Sequence, residues 1–198
     1  METSYYSPDE LAQLSLGSIG VDVRISRKTS FYNRGQIVVG DHVRIDDFCV
    51  LSGRIEIGNY VHIASFCALY GSAFGIALRD FVGLSSRVSV YGATDDYSGE
   101  CLTNPTIPDE FRHVIGGQVL LEKHVIVGSG TVILPNLVVG EGAAIGALSL
   151  VQKAIPPWTI SLGIPLRILG QRSNQILKLE DRLLTRPSDP SERHLGLR

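Results

Sequence analysis

Apolar residues return at every sixth position along most of this chain. From Val39 the sequence divides into VGDHVR, IDDFCV, LSGRIE, IGNYVH, IASFCA and LYGSAF, whose first residues are Val39, Ile45, Leu51, Ile57, Ile63 and Leu69. Three extra residues then shift the frame. It resumes at Leu78, Leu84 and Val90, and again at Leu121, Val127, Ile133, Val139, Ile145 and Val151. The fifth position is apolar nearly as often, as at Val43, Cys49, Ile55, Val61, Cys67, Val82, Val88, Val125 and Ala143. An α-helix cannot keep a period of six, because 3.6 residues per turn does not divide it. Short strands joined by tight bends can. Three such strands close a triangular coil, and coils stack at the strand spacing of about 4.8 Å. The pattern predicts an all-β fold: a parallel β-helix over residues 19–155, with about six coils and a height of roughly 29 Å.

The flanks read differently. Ser7-Pro8-Asp9-Glu10 has the form of a capping box with Pro at the first helical position, and Tyr6 and Leu11 are spaced as a hydrophobic staple. Residues 1–18 are therefore expected to form a helical cap under the prism. Residues 156–186 are expected to close it and end in a helix capped by Ser173 and running to about Arg186, with Ile176, Leu179, Leu183 and Leu184 on one side. The tail, 187–198, is expected to be disordered.

One segment breaks the period. Residues 94–118 are polar, rich in Pro and Gly, and carry Asp95-Asp96 at their root. A structureless connection this long is uncommon inside a compact chain and is usually functional.

Equal phase places residues of successive coils in columns. One corner column reads Asp47, Ser65, Ser86, Ser129, Ala147, and its neighbour reads Asp46, Ala64, Ser85, Gly128, Gly146. Small residues suit a tight bend; they also leave a smooth groove beside which a thin chain can lie. Outward mid-strand positions are apolar at Val50, Ala68, Val132 and Leu150, and at Ile126 and Ala144 above Arg44 and His62. Such stripes point to a partner surface. Tyr70 and Tyr91 share a column at the foot of the loop, where they either stack on a ligand or pack the corner.

The six-residue period and the closing stretch IPPWTISLGIPLRILG resemble the hexapeptide-repeat acyltransferases. The strings VRIDDFCVLSG, YVHIASF, DDYSGECLTNPTIPDEF and LEKHVIVGSGTVILP are similar to the nucleotide-sugar N-acetyltransferases of the dTDP-4-amino-4,6-dideoxyglucose type. The resemblance implies a left-handed helix, a homotrimer with clefts between adjacent prisms, and acetyl-CoA as co-substrate. It implies acetyl transfer to the amine of a nucleotide-linked 4-amino-4,6-dideoxy sugar for surface polysaccharide or lipopolysaccharide biosynthesis. The pantetheine arm would follow Ser129, Gly146 and Ala147, and Lys153 and Arg167 would meet the nucleotide phosphates of coenzyme A. Sugar O-acetyltransferases of the family carry a catalytic histidine near the loop root, and this chain has Asp95 and Asp96 there instead.

That departure has chemical content. A hydroxyl needs a base matched to neutral pH, whereas a carboxylate can hold an ammonium and help remove its proton. Two adjacent carboxylates, partly desolvated, can have one raised pKa. Asp96 is expected to accept the proton and Asp95 to position the amine; an Asp pair that only turns the chain is the other reading. His113, which closes the loop, and His62, on an outward face, are rival bases. Asn104 either binds the acceptor or starts a turn. An O-acetyltransferase and a non-catalytic binding scaffold remain the alternatives.

Composition trims the field. The net charge is −2, with no basic excess for nucleic acid. No run of about 18 apolar residues crosses a membrane and no charged-then-apolar leader opens the chain, so a soluble, cytoplasmic protein is expected. Three cysteines without framework spacing argue against disulfides, and Cys49 and Cys67 are expected as stacked core thiols. The histidines, His42, His62, His113, His124 and His194, form no compact three-ligand set, so no metal is expected.

Overall fold

In the computed structural model, which describes residues 4–186, the chain is a left-handed parallel β-helix. The expected tail and His194 lie outside the described residues. Every first-position residue from Val39 to Val151 faces the core, none more than 3% exposed. The fifth-position residues are buried with them. Three faces result. One is built from the strands Arg24–Ile25, Arg44–Ile45, His62–Ile63, Gly83–Leu84, Ile126–Val127, Ala144–Ile145 and Thr159–Leu162, all parallel and in register. This face has seven rungs where about six coils were expected. The added one comes from the closing segment, whose Ile160 pairs with Ala144.

The shift of frame is visible as a bulge. Ser52 pairs with Tyr70, Gly53 with Ser72 and Ile55 with Ile76, so the offset grows from 18 to 19 to 21 residues within one pair of strands. Three residues are thus absorbed without breaking the ladder, and Phe74 is pushed outward.

Polar corner residues tie coil to coil. Asp41 Oδ1 accepts from Val21 N–H at 2.8 Å, Asn59 Oδ1 from Asp41 N–H at 2.8 Å and Asp80 Oδ1 from Asn59 N–H at 2.7 Å. Beside them His42, Tyr60, Phe81, His124 and Trp158 all take φ of 55–63°. For side-chain-bearing residues this left-handed conformation costs about 1–2 kcal/mol each. Ring stacking offsets part of it, at roughly 0.5–1.5 kcal/mol per pair. Centroids lie 4.6 Å apart for His42–Tyr60, 4.9 Å for Tyr60–Phe81 and 4.9 Å for Phe81–His124.

Both ends are closed. The helix α1, Pro8–Gln13, has the expected capping box, and its Leu11, with Leu14 beyond it, enters the core. At the other end Arg167–Gln171 pairs antiparallel with Thr159–Leu162. The helix α2 spans Ile176–Leu184 and is shorter than expected. Ser173 Oγ accepts from Gln175 N–H at 3.3 Å, which makes a turn ahead of the helix rather than its cap. The apolar side of α2 stays open, with Leu179, Leu183 and Leu184 exposed. What holds α2 is Glu180, buried against Lys123 Nζ and, at 2.7 Å, His124 Nε2. Burial pulls its carboxyl upward, but bonds from Lys123 and His124 outweigh it and leave the pKa below its ordinary 4.5.

A depressed carboxyl stabilises above its unfolded pKa and ceases to as pH falls through the folded value. We therefore expect hydrogen-exchange protection over Ile176–Leu184 to persist above about pH 4.5 and to be lost first as the solution is acidified below it. Glu180→Ala should remove that protection at neutral pH while the prism amides keep theirs.

Candidate functional site

The period-breaking segment is less irregular than its sequence reads. Ala93–Asp95 and Val114–Gly116 pair antiparallel as a stalk, and Asp109–Phe111 forms a 3₁₀ turn near its end. The stalk leans on the bulge: a Cβ at Gly116 would lie 2.1 Å from the Phe74 ring, so only glycine allows this contact. Tyr70 and Tyr91 stack at 5.3 Å beneath it, in strand register.

At the root, both carboxylates are engaged within the loop. Asp96 accepts from Ser98 N–H at 2.9 Å through Oδ1 and from Ser98 Oγ–H at 2.6 Å through Oδ2. Those bonds hold its carboxyl below the usual range. The expected raised carboxyl is thus corrected at Asp96: a base gains strength from desolvation, and this half-buried group instead accepts two hydrogen bonds that favour its charged form. Asp95 accepts from Asn104 N–H at 3.2 Å through Oδ2, and its Oδ1 has no bond among the described residues. Asn104 takes φ of 77° and spends its side-chain oxygen on Thr106, so the turn reading holds for that oxygen. His113 lies across the stalk, its carbonyl accepting from Asp96 N–H at 3.1 Å. A hollow of about 390 Å³ opens beside Asp95, Asp96, Tyr97 and Cys101.

A second hollow, of about 360 Å³, lies on the prism between His62, Gly83, Ser85, Ser86, Ile126 and Ser129. It opens beside the small-residue columns. His62 is anchored there: its Nε2 bonds Asp46 Oδ2 at 2.8 Å, while Arg44 Nε and Tyr5 Oη donate to Asp46 Oδ1 at 2.7 and 3.0 Å. Burial draws the Asp46 carboxyl upward, but these three donors outweigh it and hold it below its ordinary value. The Asp46 anchor was not read from the sequence, although Arg44 and His62 share a column on successive coils and Asp46 stands two residues beyond Arg44 in the next column.

Upward from this hollow Ser129 and Ala147 are exposed, as a groove requires. Gly146 is different. A Cβ there would meet Leu162 Cβ at 2.9 Å, so its smallness serves the stacking of the last coil. Lys153 and Arg167 are exposed at the top. Cys49 and Cys67 are core thiols, donating to Ala64 O at 3.2 Å and Ser85 O at 3.1 Å. Among the described residues no group of three His, Cys, Asp or Glu could hold a metal, and no helix is long and apolar enough to cross a membrane.

Known proteins resemble this chain over most of its length. A family model described as bacterial transferase hexapeptide (six repeats) matches residues 36–71. The chain is 41% identical over 180 residues to a dTDP-4-amino-4,6-dideoxy-D-glucose acyltransferase of Escherichia coli, covering 89% of this chain and 93% of that protein. It is similar in structure to AntD, an N-acyltransferase from Bacillus cereus. A serine variant of AntD in complex with dTDP-4-amino-4,6-dideoxyglucose and coenzyme A superposes with a TM-score of 0.91 at 47% identity, over 93% of this chain and 98% of that one. AntD in complex with dTDP and 3-hydroxybutyryl-CoA superposes at 0.90 and 46% identity, over 92% and 97%.

Because Phe74 fixes the stalk, Phe74→Ala should speed protease cleavage within residues 97–110, read by mass spectrometry. Its half-exposed ring carries little of the core, so the melting transition should move by about 1 kcal/mol or less.

Proposed function

The chain belongs to the hexapeptide-repeat acyltransferases of dTDP-4-amino-4,6-dideoxyglucose, and from that premise we propose how its own residues perform the transfer. It moves an acyl group, acetyl in the simplest case, from acyl-coenzyme A to the sugar's amine. The observation that carries this is the match to the relatives, which omits only about a tenth of the chain and so takes in prism and loop together.

Coenzyme A lies along the Ser129–Ala147 groove with its phosphates toward Lys153 and Arg167. The sugar is gripped by the loop, above Tyr70 and Tyr91. The amine attacks the thioester carbonyl: a C–N bond forms and the carbonyl oxygen becomes an oxyanion, held by backbone N–H or loop donors. The intermediate collapses, the C–S bond breaks, and the thiolate leaves and is protonated. The amine's proton passes to a carboxylate. The free Oδ1 of Asp95 favours it as acceptor and leaves Asp96 to shape the loop through Ser98, which reverses the roles expected from sequence. His113 and His62 are the other candidate bases. His62, held by Asp46, is the better oriented of the two. The working form is a homotrimer, a reading supported by the outward stripe Val50, Val132, Leu150 and by the uncovered apolar side of α2.

The reading is tested by acyl transfer from acetyl-CoA to a panel of dTDP-linked amino and hydroxy sugars; transfer only to hydroxyls, or none, would refute it. Asp95→Asn should lower turnover by about 10²-fold or more, with Asp96→Asn losing less. Near-normal turnover in Asp95→Asn together with its loss in His62→Asn or His113→Asn would move the base to histidine. Ala147→Trp should block coenzyme A binding in calorimetry while thermal unfolding is kept, and Arg167→Ala should weaken it by roughly 1–3 kcal/mol. In light scattering Val132→Asp should dissociate or precipitate a trimer.

A further inference from the structure

We infer that Gly83 sets the length of the acyl group, an inference that rests on the acyltransferase reading of the prism hollow. The outward column through this hollow runs Arg44, His62, Gly83, Ile126, Ala144 in continuous strand register. Gly83 alone presents no side chain, and the wall recedes by one residue's depth between His62 and Ile126. The glycines of the adjacent corner column have plain steric reasons. A Cβ at Gly128 would lie 2.4 Å from Ala147 N, and one at Gly146 would press on Leu162. Gly83 has no such reason. Its φ lies outside the left-handed region, and a Cβ there would find only Ile126 Cγ1, at 4.0 Å.

Glycine inside a strand weakens it and often marks the close approach of a ligand or of another backbone. Here the strand is paired on both edges, with His62–Ile63 and with Ile126–Val127, so its own backbone is already satisfied. The lining sorts into two parts. Ser85, Ser86 and Ser129, with Ala64 below Ser85 in the same column, form the corner side toward the groove, and Ile126 stands next to Gly83 in its own column as an apolar wall. A thioester delivered along Ser129 reaches the corner side with its carbonyl and lays its alkyl tail over Gly83. The room beyond the carbonyl suits a short aliphatic acyl group longer than acetyl.

The test is kcat/KM for acetyl-, butyryl- and hexanoyl-CoA with a dTDP-linked amino sugar as acceptor, in the wild type, Gly83→Ala and Gly83→Val, with light scattering on each. The wild type should use butyryl-CoA. The butyryl-to-acetyl ratio should fall several-fold in Gly83→Ala and at least about tenfold in Gly83→Val. Should the valine variant fail to fold, the graded loss in the alanine variant still decides the matter. An unchanged ratio, a wild type that takes acetyl but not butyryl, or a valine variant that changes the assembly state would each overturn the inference. The last would assign the notch to a neighbouring chain's backbone. A wild type silent toward every donor would overturn the acyltransferase reading itself, and this inference with it.

Discussion

The whole molecule depends on one hydrogen-bonding register. Each coil's N–H groups reach the carbonyls of the next coil, as in Arg44 N to Val61 O at 2.9 Å, Asp46 N to Ile63 O at 2.9 Å and His62 N to Val82 O at 3.1 Å. Side chains alternate with period two along each short strand, so a slip of one residue would turn every inward aliphatic outward. The buried column Ile25, Ile45, Ile63, Leu84, Val127, Ile145 holds that register by excluding water from it. With the register fixed, function becomes a matter of columns. Asp46 meets His62, Tyr91 meets Tyr70, and Gly83 opens a gap between its neighbours because the stacking leaves no other arrangement.

The corners show how the chain tolerates this geometry. Left-handed backbone at Phe48, Phe66 and Arg87 is unfavourable residue by residue, yet the column is internally attractive. Phe48 and Phe66 stack at 5.1 Å, Lys28 lies 5.1 Å from the Phe48 centroid and Arg87 lies 5.4 Å from that of Phe66. Repetition converts a local penalty into a ladder of contacts. In the other corner column, that of His42, Tyr60, Phe81 and His124, the stack skips a coil at Gly142, and the Trp158 ring covers the glycine on its way toward His124.

The prism was legible in the sequence because inward positions demand aliphatic side chains, and that demand repeats every six residues. Val39, Ile45 and Leu51 announce themselves. The loop stalk was not legible: Ala93–Asp95 and Val114–Gly116 are three residues each, too short for a period, and are held by the Phe74–Gly116 contact from elsewhere in the chain. The start of α2 was misplaced because Ser173 can bond a backbone N–H in a turn as readily as in a cap. The Asp46–His62 pair was within reach, since columns could be drawn from the spacing. Its hydrogen bond depends on side-chain rotamers that spacing does not carry. The engagement of Asp96 by Ser98, on which the proposed preference for Asp95 rests, depends on a hydroxyl direction that no composition or pattern reveals.

The two end closures have a consequence beyond stability. A stack of parallel coils has no intrinsic length: its last rung presents the same open edge as every rung beneath it. Such an edge is a template for another chain. Helix α1 below and the reversed strand Arg167–Gln171 above are what make the stack finite. Because that strand runs against the others, it offers the next molecule the wrong polarity for continued winding. Without these closures the same repeat would describe the seed of a filament, and the catalytic unit would have no defined number of coils.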